Sequence, residues 1–139
     1  MKLLFSAVCD EAAPDTTGKV DIKGVFHDLY APGFPAKQDH LVLVLVIEWD
    51  RSDQGRYDFK ADLLDPAGKP ALTLHGQSEV DARPHDRPAA RTQILMPMEG
   101  VIFPVPGEYH FQVSAKGEAF KGPTLYLIET TDEGAPPLG

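Results

Sequence analysis

The 139 residues carry a formal net charge of −8, with Asp and Glu scattered along the chain, which disfavours a nucleic-acid partner that needs a field of Lys and Arg. With 42% hydrophobic and 24% charged residues, the chain has the composition of one globular domain and is too apolar to stay unfolded. Its only cysteine, Cys9, excludes an internal disulfide and a zinc site made of several thiolates.

The first element is a strand from about Lys2 to Asp10. Its start imitates a lipoprotein signal, but the run from Leu3 to Val8 is shorter than the roughly 7–15 residues of a signal core, and bulky Val8 precedes the cysteine. A second strand is expected over Lys19 to Tyr30, bent or bulged at Gly24, followed by a Pro- and Gly-rich loop from Ala31 to Asp39. Phe34, with Tyr30, Pro32 and Pro35 around it, either rims a sugar or peptide site or plugs one end of the fold.

His40 to Trp49 gives the most emphatic strand: Leu41, Leu43, Leu45, Ile47 and Trp49 face one way, and Val42, Val44 and Val46 the other. A strand in a two-layer sandwich needs one apolar face, so the valines require a cover, either a loop of the same chain or a second copy. A homodimer through Val42, Val44 and Val46 is the expectation. The apolar stretch Leu41 to Ile47 falls far short of the roughly 20 residues of a membrane span, so no membrane association and a cytoplasmic location are expected.

Asp50, Ser52, Gln54 and Gly55 imitate the start of a calcium loop, but Ala61 stands where the bidentate Glu is needed, so the segment reads as a hairpin loop. Tyr57, Phe59, Ala61 and Leu63 alternate with Asp58, Lys60 and Asp62. Asp65, Pro66 and Gly68 fit a type I turn, and a partner strand from Ala71 to Val80 completes a hairpin.

Asp81 to Ala90 reads as an exposed, mobile loop. It carries Arg83, His85 and Arg87, with Arg91 just beyond, and three of the chain's five arginines fall here. Such a group could grip a carboxylate or phosphate, although Asp81 and Asp86 neutralise part of its field and a solvated connection is the simpler reading.

A strand follows from Arg91 to Met98. The apolar connection holding Val101, Ile102, Phe103 and Val105 is either a contact surface or a segment crossing between sheets over the core, and the crossing is the preferred reading. Tyr109, Phe111, Val113 and Ala115 alternate with polar residues, and Leu125 to Thr130 closes the fold ahead of a tail, 131–139, expected to be disordered.

About eight short strands imply an all-β, antiparallel two-sheet sandwich, Ig-like or jelly-roll-like, in one domain over residues 1–130. Leu43, Leu45, Ile47, Trp49, Tyr57, Phe59, Leu63, Tyr109, Phe111 and Val113 are its expected core. Cys9-Asp10-Glu11, Gly24-Val25-Phe26, Leu64-Asp65-Pro66-Ala67-Gly68-Lys69 and Pro106-Gly107-Glu108-Tyr109 together resemble a small uncharacterised bacterial family. That resemblance spans most of the chain and implies a sandwich, with no activity or catalytic residue to transfer.

The chain has no Gly-x-Ser-x-Gly elbow, no phosphate loop and no His-Glu-x-x-His. Its five histidines, His27, His40, His75, His85 and His110, lack a recognisable ligand spacing, and Cys9 has no basic neighbour in sequence to activate it. The expected function is a non-catalytic protein-interaction or assembly domain without a cofactor, its partner an unidentified protein or a second copy. The alternative is a metal- or His-dependent enzyme or a small-ligand-binding sandwich, which convergence of the histidines in space would favour.

Overall fold

The computed structural model describes residues 1–130, and those residues form nine strands and no helix. In chain order they are β1 (Lys2–Pro14), β2 (Val20–Val25), β3 (Asp28–Ala31), β4 (Ala36–Glu48), β5 (Gly55–Leu64), β6 (Pro70–Val80), β7 (Arg91–Phe103), β8 (Gly107–Ala115) and β9 (Glu118–Glu129). The tail expected over 131–139 lies outside the described residues.

Three hairpins follow from turn chemistry. The anticipated turn at Asp65 joins β5 to β6: Gly68 N–H donates to the Asp65 carbonyl at 2.8 Å, and the Asp65 carboxylate accepts from Ala67 and Lys69 N–H, each at 2.9 Å. The same Asp-x-x-Gly-Lys pattern recurs at Asp15 to Lys19 and joins β1 to β2, with Asp15 Oδ1 accepting from Thr17 N–H at 2.7 Å and Lys19 N–H at 3.0 Å. Both glycines sit at positive φ, where a side chain would strain the turn. Between β8 and β9 only Lys116 and Gly117 intervene, both left-handed, as a tight hairpin turn requires.

One sheet is antiparallel with strand order β2-β1-β4-β7; the other has order β3-β9-β8-β5-β6. The second sheet is mixed, because β3 runs parallel to β9 with Asp28 opposite Tyr126 and Ala31 opposite Glu129. The expected antiparallel two-sheet arrangement thus holds for one sheet and not for the β3–β9 pair of the other, and the single strand expected over Lys19 to Tyr30 proves to be two. The chain changes sheets at Phe26 and His27: Phe26 N–H makes a last bond to the Val8 carbonyl at 3.0 Å, and the His27 carbonyl then accepts from Tyr126 N–H at 2.8 Å. Gly24 marks an irregularity inside β2, and its φ of 72° lets the Asp10 side chain lie where a β-carbon would stand.

Three other elements run longer than expected. β4 begins at Ala36, β9 begins at Glu118, and β7 continues through Phe103, pairing Val101, Ile102 and Phe103 with Gln38, Lys37 and Ala36. Most of the apolar connection is therefore strand, with Val101 and Phe103 buried and Ile102 exposed. β7 tolerates Pro97 because it is an edge strand, where the missing N–H faces no neighbour.

One hydrophobic core draws on both sheets. Val8, Leu41, Leu43, Leu45 and Ile47 come from the antiparallel sheet, while Phe59, Leu63, Phe111, Val113 and Leu125 come from the mixed one. Every expected core residue is buried except Tyr57, which is partly buried and stacks on Trp49 at 5.0 Å. Phe34 packs against the same core, which favours the plug over the rim.

Fully buried Tyr109 keeps its hydroxyl satisfied, donating to the Val105 carbonyl at 2.7 Å and accepting from Val105 N–H at 3.1 Å. Burial raises its pKa above the usual phenol value of 10.0. Tyr109→Phe is expected to cost about 1–3 kcal/mol by removing both bonds, read as a lower urea midpoint with unchanged slope.

Candidate functional site

The outer face of β4 has its cover within the chain. β1 pairs with β4 only as far as Cys9 opposite Val42; beyond that point it runs on with β2 as a two-stranded arm. Ala12 and Ile22 of the arm, with Leu95 of β7, pack on Cys9, Val42 and Val44 and leave both valines buried. The dimer expected through Val42, Val44 and Val46 thus loses the reason given for it at two of its three residues. Only Val46 stays partly open, opposite Phe5, which is 44% exposed beside Leu4 at 43%.

The arm does not close fully over the sheet. It leaves an open groove of about 410 Å³ floored by Ala12, Ala13, Val42, Leu95 and Pro97, with Glu11, Asp21 and His40 on the rim. A second depression of about 360 Å³ shares Glu11 and His40 and adds Asp10, Lys37, Gln38 and Asp39. The two therefore form a trough with an apolar end and an acidic end. His40 Nδ1 lies 2.7 Å from Glu99 Oε1, so the imidazole is held to β7 across the β4–β7 ladder.

Under the groove, Cys9 is fully buried and its thiol donates toward the Glu11 carbonyl at 3.4 Å and the Val42 carbonyl at 3.7 Å. Burial pushes its pKa up, and Asp10 pushes the same way. A thiol so placed packs as a small apolar group and does not act as a nucleophile. The trough can bind through its apolar floor and charged rim, and it presents no activated nucleophile.

The arginine loop divides. Arg91 lies in β7, where its Nε donates to Glu48 Oε2 at 3.2 Å, while Arg83, His85 and Arg87 are exposed in the connection between β6 and β7. The loop turns its Pro84 and Arg87 carbonyls toward the Arg51 guanidinium, so its backbone is held by a cation from the β4–β5 loop. The histidines sit on separate elements: His40 on β4, His75 on β6, His110 on β8, His27 between β2 and β3, and His85 in the loop. Among the described residues no group of three or more His, Cys, Asp or Glu side chains could hold a metal ion. A further apolar opening of about 420 Å³ separates edge strands β6 and β7, between Leu72 and Leu74 on one side and Met98 and Val101 on the other, with Glu99 its only charge.

The false calcium loop holds a cluster that sequence reasoning missed. Lys116 Nζ donates to Asp53 Oδ1 at 2.6 Å and to Asp50 Oδ2 at 3.3 Å, and the Met1 amine lies 2.9 Å from Asp50 Oδ1. Asp53, only 6% exposed, also accepts from Asp50 N–H at 2.9 Å. Its burial pushes the carboxyl up, but the Lys116 and Asp50 bonds outweigh this and hold it below the usual 3.8, while Asp53 holds Lys116 above the usual 10.5. The left-handed Lys-Gly turn that aims Lys116 was the available signal.

The sign of the pH effect follows. A lowered carboxyl pKa gives stability that is complete above 3.8 and lost as pH falls through the folded value; a raised Lys pKa gives stability that is complete below 10.5 and lost as pH rises through its folded value. The stability difference between wild type and Asp53→Asn is therefore expected to be flat between about pH 5 and 9 and to shrink outside that window. Urea midpoints across pH check this; a difference independent of pH would detach Asp53 from Lys116.

These features define an all-β protein of two sheets, one antiparallel and one mixed, with an open trough on the outer face of the antiparallel sheet. A family model described as a family of unknown function (DUF6941) matches residues 4–128, and the chain belongs to that family. No curated protein matches it.

Proposed function

We propose that the chain is a non-catalytic protein-interaction domain, built as an Ig-like sandwich, that receives its partner on the outer face of the antiparallel sheet. The sandwich reading is supported by one core shared between both sheets. The Ig-like reading is supported by the order β9-β8-β5 in the second sheet and by Tyr109, whose hydroxyl returns to the backbone four residues upstream at the entry to β8 in the manner of a tyrosine corner. A cytoplasmic setting suits the single free thiol.

The observation that carries the interaction reading is the trough itself. It is open, with one end lined mostly by apolar residues and the other by charged ones, which suits a protein segment better than a metabolite that must be largely enclosed.

Ala13 is an exposed arm position that lines the groove, and Ala13→Trp adds bulk there. In quantitative capture from the native host, we expect a partner that wild type and Gln77→Arg on β6 retain and that Ala13→Trp loses. Sedimentation of the protein alone adds a second reading: a dimer dissolved by Ala13→Trp would make the partner a second copy. A set of captured proteins indifferent to Ala13→Trp, with no dimer, would contradict the proposal.

A further inference from the structure

We infer that the trough takes an extended protein segment in which an apolar side chain is followed closely by Lys or Arg; this rests on the interaction reading above. The apolar end selects the first feature. Ala12, Ala13, Val42, Leu95 and Pro97 offer small and branched surfaces with no charged group on the floor, so an aliphatic side chain gains there what a polar one would lose.

The acidic end selects the second. Asp10, Glu11, Asp21 and Asp39 line the two depressions, and Glu99 stands behind His40, whereas Lys37 is the only Lys or Arg lining them. Lys37 is itself 3.9 Å from Asp39, and Lys23 stands opposite Glu11 in the β1–β2 ladder. Five carboxylates against these two lysines leave the rim net negative, in keeping with the −8 of the chain. A cationic side chain entering here is drawn in by the field, and an anionic one is repelled.

Side chains, not backbone pairing, carry the recognition. The groove borders β7, an outer strand of its sheet, but Pro97 offers no N–H to an added strand at that point, which interrupts a strand-on-edge mode of binding. The apolar side chain and the cation must then lie close together along the segment, since the two depressions share Glu11 and His40.

Three sets of synthetic peptides test this, each alternating Leu or Val with Arg, with Ser or with Glu, titrated onto the full chain by fluorescence anisotropy at low and high salt. The Arg set is expected to bind best. Its affinity should fall about tenfold on Glu11→Lys combined with Asp21→Lys, weaken with salt, and be abolished by Ala13→Trp, while Gln77→Arg leaves it unchanged.

Equal binding of the Arg and Ser sets, both abolished by Ala13→Trp, would overturn the basic partner and leave the interaction reading standing. Binding that survives Ala13→Trp, or binding by none of the sets, would overturn the inference; the host capture experiment then decides the interaction reading separately. Both charge reversals lie at exposed positions, and circular dichroism confirms that each variant is folded.

Discussion

Replacing Phe111 with alanine is expected to lower stability by about 3–5 kcal/mol, a large share of what holds a domain of this size together. Phe111 is fully buried on β8, between β5 and β9, and stands opposite Leu63. The β8–β9 register shifts between His110 and Gln112, and Gly122 of β9 comes so near that a β-carbon there would sit 3.1 Å from that of Phe111. The site is packed on both sides and cannot collapse cheaply around a smaller side chain, so a cavity adds to the lost burial. A urea midpoint that barely moves would remove Phe111 from the core.

Gly76→Val is the second large effect, and its sign is the point of interest. In a strand, valine normally improves on glycine through propensity. Here Gly76 pairs with Phe59, whose ring lies across the glycine so that a β-carbon at position 76 would overlap its Cζ. Phe59 is itself 6% exposed and packed in the core, so a displaced ring must push against its core neighbours.

Overpacking of this kind costs about 1–3 kcal/mol and occasionally more. The penalty should largely vanish in a Phe59→Ala background, where valine takes space the ring has left. A double-mutant cycle reads that coupling directly; additive effects would mean that the ring does not rest on Gly76.

Much of the fold was legible because its signals are local. Period-two alternation marked β4, β5 and β8 and their inward faces, and Asp65 with Gly68 marked a turn by chemistry that acts within five residues. The same chemistry at Asp15 and Gly18 was equally available, and reading it would have carried β1 to Pro14 and shown the arm.

What stayed hidden depends on distant partners. The change of sheet at Phe26 has no proline or turn pair to announce it, because one residue of inward side chain and two long-range backbone bonds accomplish it. The parallel pairing of β3 is likewise decided by β9, about a hundred residues onward.

The candidate site was half legible. Sequence alternation identified Val42, Val44 and Val46 as an apolar face in need of cover, and a cover within the chain was one of the two solutions that face allowed. That the cover is an arm, and that it stops short and leaves a trough, follows from where β1 parts from β4, which no local pattern records. The arginine-rich loop read as a solvated connection, with an anion site as the lesser alternative; what its composition did not show is that the strand register gives Arg91 a partner in Glu48 at one end of the β4–β7 ladder.

The central claim is that the outer face of the antiparallel sheet is where this protein meets its partner. Amide hydrogen exchange on the protein alone and with its captured partner tests it most directly. New protection is expected at Ala12 and Ala13 on the arm, at His40 and Val42 on β4 and at Leu95 on β7. Protection confined to the opening between β6 and β7, or to the outer face of the mixed sheet, would contradict the account.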